Sequence, residues 1–115
     1  MIPIANQLAS DLGTDANYIL ALSAYESGWL GTHAQGLHNL FGLTNAGGPD
    51  INFPSYQASA NYWSKIDGPH IDGDASIAAF SQDIQPYYNT VNAAWTQTLV
   101  NVFTSVLAWR SKCNQ

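Results

Sequence analysis

Positive charge is what this chain of 115 residues has least of: three Lys and Arg against eight Asp and Glu, for a net charge of -5. A surface so poor in cations cannot neutralise many phosphates, which argues against nucleic acid or an anionic membrane as partner. Cysteine is nearly absent too. Cys113 stands alone, so no internal disulfide can form. No apolar run is long enough to span a bilayer, and no basic segment followed by an apolar stretch marks a secretory signal. A substrate outside the cytoplasm would therefore require a secretion system, phage lysis or a larger parent protein for delivery. Charged residues make up 10% and hydrophobic ones 46%, a balance that excludes disorder. The length fits a single domain over residues 1–115. Four Trp and six Tyr are well suited to stacking on sugar faces.

The stretch Ala21-Leu22-Ser23-Ala24-Tyr25-Glu26-Ser27-Gly28-Trp29 carries the first chemical signal. Ile19, Leu22, Glu26 and Trp29 follow at steps of three, four and three, one stripe of a helix that Gly28 and Gly31 should end. A carboxylate on an apolar stripe is desolvated and holds its proton more tightly than in water. A carboxylic acid protonated near neutral pH is what general-acid catalysis requires, and Glu26 is the candidate.

Around it the periodicity predicts a mainly helical domain. Ile4, Leu8 and Leu12 suggest a first short helix closed by Gly13, and Thr14 is the expected N-cap of the second. Residues 33–38 read as a loop and 39–44 as an extended piece. Residues 45–50 are dense in turn formers and Ile51-Asn52-Phe53 alternates, so a small, reduced β-hairpin is expected. Helical spacing resumes over 56–66 with Tyr62, Trp63 and Ile66 inward, and again over 75–84. Residues 85–89 should interrupt it. A last helix over 93–110 carries Trp95, Leu99, Val102, Val106 and Trp109 on one stripe, widened by Phe103 and Leu107, as though covered on two sides. Trp29, Tyr62, Trp63, Trp95 and Trp109 are expected in the core, and the acids of 67–74 in a solvated loop.

Glu-Ser-Gly-Trp, followed by Asn39-Leu40-Phe41-Gly42-Leu43-Thr44, resembles the bacterial glucosaminidase family of peptidoglycan hydrolases, which has a lysozyme-like fold. Phe53-Pro54-Ser55-Tyr56 and the segment from Pro86 through Tyr87 and Tyr88 to Asn92 are similar to later stretches of that family. The resemblance implies an α+β lysozyme-like domain that cleaves β-1,4 bonds of cell-wall glycan as an endo-β-N-acetylglucosaminidase, with Glu26 as its acid. It also implies Asn39 and Phe41 as substrate contacts and either Tyr87 or Tyr88 beside the acid. His38, next to the motif, is expected to line the groove. Three departures stand against the family pattern: few residues between the Asn-Leu-Phe-Gly motif and the next helix, no obvious second acid, and Trp-Leu-Gly where Trp-Gly is usual.

The residues leave the second chemical role open. An inverting hydrolase needs a carboxylate base, for which Asp50, Asp67, Asp72 and Asp74 are the loop candidates. A substrate-assisted route would use the sugar's acetamido group with Tyr87 or Tyr88 positioning it, and a lytic transglycosylase needs one Glu alone. Muramidase cleavage at the alternate linkage and a non-catalytic glycan-binding or inhibitory module are the remaining readings. His33, His38 and His70 lack metal-ligand spacing, so no metal or cofactor is expected. The expected partners are peptidoglycan strands, with a parent protein, delivery machinery or an immunity protein beside them. The expected place of action is the bacterial cell wall, periplasmic or extracellular.

Overall fold

A computed structural model describes residues 1–45, 48–88 and 94–113. Seven α-helices follow one another among these: α1 (Ile2–Leu12), α2 (Ala16–Ser27), α3 (Thr32–Leu37), α4 (Tyr56–Ile66), α5 (Gly68–Ile71), α6 (Ile77–Tyr88) and α7 (Trp95–Cys113). The mainly helical expectation holds.

α2 is the axis of the molecule. Eight of its twelve residues are buried, Ile19, Ala21 and Leu22 completely, because α1 and α7 pack along it and the loop after α3 covers its C-terminal end. A helix enclosed this way need not be amphipathic, and the run Tyr18-Ile19-Leu20-Ala21-Leu22 is apolar on every side. Asp15, not Thr14, caps its N-terminus: the Asp15 carboxylate accepts from Asn17 N at 2.8 Å. The Thr14 hydroxyl instead donates to Asp74 O at 2.7 Å, tying the α1–α2 corner to the segment before α6. α2 ends at Gly28 in the left-handed conformation (φ 59°), where a Cβ would be strained.

α1 presents Ala5, Leu8, Ala9 and Leu12 to the core. α4, capped by the Ser55 hydroxyl accepting from Ala58 N at 3.0 Å, buries Ser59, Ala60 and Trp63. Phe80 and Ile84 of α6 and Trp95, Leu99 and Val106 of α7 complete one continuous apolar cluster.

Several expectations need correction. Residues 32–37 form a helix rather than a loop, entered at Gly31 and left at His38 (φ 51°). The β-hairpin is reduced to a single antiparallel bridge, Thr44 with Asp50, and no sheet occurs among the described residues. α6 continues through Pro86 to Tyr88: a proline in the last turn forfeits one hydrogen bond at a place where the helix is about to end. Four residues assigned to the core are exposed: Trp29, Tyr62, Ile66 and Trp109, along with Leu107 on the widened α7 stripe. Trp29 lies past the end of α2 with φ 57°, so the helical step that aligned it with Glu26 no longer applies. Tyr62 and Ile66 sit beside the inward face that Ser59, Ala60 and Trp63 define, and α7 is covered on one side only towards its C-terminus. Residues 46–47 of the expected turn, 89–92 of the late motif and the expected helix start at 93 lie outside the described residues.

Candidate active site

Glu26 sits in the last turn of α2, where the helix emerges from the core into a groove of about 330 Å³. Glu26, Gly28, Thr32 and His33 line one stretch of that groove, and Asn39, Gly42 and Asp50 another. Burial among apolar neighbours raises the Glu26 carboxyl from 4.5 to about 7, an effect that the Trp95 indole opposes in part by favouring the charged form. Near neutral pH the side chain is therefore divided between acid and carboxylate, the condition under which it can give a proton and be recharged from water.

The loop from Asn39 to Leu43 is held against Glu26 by its own side chain. Asn39 Oδ1 accepts from Leu43 N at 2.9 Å, while Nδ2 donates to Leu43 O at 2.8 Å and to Ile51 O at 3.1 Å. One buried amide thus joins both arms of the vestigial hairpin and takes over the bonding a longer ladder would supply. Its amide hydrogens are both committed to this loop, so Asn39 shapes the groove rather than offering a donor to a ligand. Gly42 follows with φ 63°, so close to the acid that a Cβ there would stand 3.0 Å from Glu26 O and 3.4 Å from Glu26 Oε2. Glycine is required twice, for the left-handed backbone and for the close approach.

Phe41, expected at the substrate, is fully buried with its ring stacked on Trp63 at 4.5 Å and 13°. Its contribution to the site is its carbonyl, which accepts from the Tyr88 hydroxyl at 3.1 Å. Tyr88 stacks on Trp95 (6.0 Å, 19°), and Trp95 in turn on Tyr25 (5.6 Å, 29°), an aromatic wall joining α2, α6 and α7. Burial first, then the charges of Asp67 and Glu26, push the Tyr88 phenol well above its ordinary value, so it remains a donor throughout the range in which Glu26 titrates. Of the two adjacent tyrosines, Tyr88 is the one whose hydroxyl reaches the motif loop, and neither lines the groove. Tyr87 faces solvent and stacks on His70 at 3.7 Å and 12°.

His38 does not line the groove. Its Nδ1 donates to Phe53 O at 3.1 Å and its ring meets Tyr56 edge-on at 5.0 Å, holding the end of α3 to the start of α4. Of the loop acids, Asp50 alone belongs to the groove, whereas Asp67 is buried at the α4–α5 junction. His33, weighed from its spacing only as a metal ligand, donates from Nε2 to Asp50 Oδ2 at 2.9 Å. The only trace of that pairing in the sequence is the place of His33 within the segment taken for a loop. Among the described residues no group of three or more His, Cys, Asp or Glu is gathered for a metal.

No protein-family model matches the chain, and no curated protein does. A solved structure does: "Structure of a type VI secretion system effector-immunity complex from Pseudomonas protegens", at TM-score 0.80 and 24% identity, over 93% of this chain and 86% of that one. The two chains share a fold.

Proposed function

We propose that the protein cleaves β-1,4 bonds of peptidoglycan glycan strands, as an endo-β-N-acetylglucosaminidase with Glu26 as general acid. The observation that carries this reading is the Glu26 carboxyl, held protonated to about pH 7 by desolvation yet placed on an open groove. Rupture of a glycosidic bond needs a proton on a poor leaving oxygen, and an acid of that strength at an accessible surface can deliver it. The Asn39–Gly42 loop brings backbone against the acid, and Tyr88 fixes that loop from behind. The motif resemblance adds the sugar specificity.

The fold shared with a chain of an effector–immunity complex favours delivery by a secretion machine to the bacterial wall, with an immunity protein as partner. The same likeness also favours a second reading, a non-catalytic module that binds or inhibits through this groove. Digesting purified peptidoglycan and weighing the products separates the possibilities. A reducing N-acetylglucosamine end supports the glucosaminidase, a reducing N-acetylmuramic acid end a muramidase, and an anhydro sugar a lytic transglycosylase. Absence of release supports the binding module. Glu26→Gln should abolish release while the protein stays folded.

A further inference from the structure

We propose that Asp50, oriented by His33, is the second reactive carboxylate of the groove and makes the cleavage an inverting one; this rests on the reading of Glu26 as the acid. Four loop aspartates were candidates from the sequence. Asp67 is 8% exposed and closed off from a substrate, and neither Asp72 nor Asp74 lines the groove. Asp50 lines it together with Glu26.

Its geometry suits a base. The antiparallel bridge with Thr44 fixes its backbone, and Ile51 N donating to Leu43 O at 2.9 Å locks the register beside it. His33 Nε2 engages only Oδ2, at 2.9 Å, which leaves Oδ1 free of His33 to take a proton from water. The environments of the two carboxyls differ as the two roles demand. Glu26 is desolvated in the last turn of α2, while Asp50 is exposed at the groove's rim with His33 Nε2 2.9 Å from its carboxylate. The groove that the two carboxyls share has a volume of about 330 Å³.

In the step so assigned, the C1–O4 bond breaks as Glu26 transfers its proton to the departing O4. A water oxygen forms the new bond to C1 from the opposite face, and Asp50 takes that water's proton. One glycosidic bond and one water become two hydroxyl ends, and the two carboxyls exchange their proton with solvent to reset. Asp50 is catalytic in this scheme. His33 acts through Asp50 and is a positioning residue.

The test reads the anomer first formed from soluble glycan fragments of peptidoglycan by proton NMR, alongside kinetics of Asp50→Asn, His33→Ala, His33→Gln and Glu26→Gln. The expected first product of the native protein is the α anomer; a β anomer or an anhydro sugar overturns the assignment, with no variant required. Asp50→Asn should lower kcat about a hundredfold or more with KM little changed. His33→Ala should lower kcat about tenfold and His33→Gln, which keeps a donor, should recover most of it. If Asp50→Asn turns over normally while Glu26→Gln is inactive, this inference alone falls. If Glu26→Gln keeps wild-type turnover, the glycan-cleavage reading falls and takes Asp50 with it.

Discussion

A carboxyl raised to about 7 by burial is a destabilising residue wherever it is ionised. The folded protein binds the Glu26 proton more tightly than the unfolded chain, whose value is near 4.5, so stability declines as pH rises from about 4.5 to 7 and the full penalty stands above that. Glu26→Gln removes the charge and keeps the shape. Allowing for the part of the side chain that water still screens, about 1–3 kcal/mol should return above pH 7 and little near pH 4. The expected result is a melting temperature several degrees higher than native at pH 8 and similar at pH 4, with glycan release lost at both. Phe41 illustrates the opposite kind of residue. It lies in the motif yet is fully enclosed against Trp63, so Phe41→Ala should cost about 3–5 kcal/mol, measured by denaturant unfolding, and not act through substrate contact.

At the scale of elements, the described part of the loop, residues 39–45 and 48–53, does the work of the expected hairpin with a single bridge. Its rigidity comes from the Asn39 amide and from Gly42 pressed against the end of α2. Gly42→Ala adds a methyl 3.0 Å from Glu26 O at a backbone φ of 63°, so either the loop or the acid must move. A loss of about 1–3 kcal/mol of stability and a large fall in kcat are expected, seen together in thermal melts and turnover. Asn39→Ala leaves Leu43 N without its partner and should destabilise the protein by about 1–3 kcal/mol; faster amide exchange at Leu43 is the direct measurement. α3 was hidden from a sequence reading because Gly31, Gly36 and two histidines in a short stretch read as loop. It is held by the backbone bond from Phe53 N to Leu37 O at 2.8 Å and by Ala34 in the core, both of them long-range facts.

Across the whole molecule, the carboxyls that depart clearly from their ordinary values are shifted in one direction. Glu26 is raised to about 7, Asp74 to about 6 by burial and by Asp83 beside it, and Asp67 is raised by burial. Each binds its proton more tightly in the folded state, so stability is greatest at mildly acid pH and falls as pH rises through about 4 to 7. A net charge of -5 adds self-repulsion in the same range. Thermal melts at pH 5 should therefore exceed those at pH 8, and a curve that instead climbs steadily with pH would contradict the shifts.

The chain's order of residues determined by itself that the protein is mainly helical, where most helices lie, and that Glu26 leads the list of acids. Those properties are local: spacing along a helix, glycines at its end and the capping serine at Ser55 all act within a few residues. Tertiary structure decided what depends on neighbours distant in sequence. It separated Tyr88 from Tyr87, withdrew Phe41 and His38 from the groove, exposed Trp29 and Trp109, and brought Asp50 and His33 into the groove that Glu26 lines. Burial is a property of the surroundings rather than of a residue, and for a carboxyl it sets the proton's affinity. Glu26 could be named from its position on a stripe, but its proton affinity waited on the packing of α2 and α7 and on the Trp95 indole beside it.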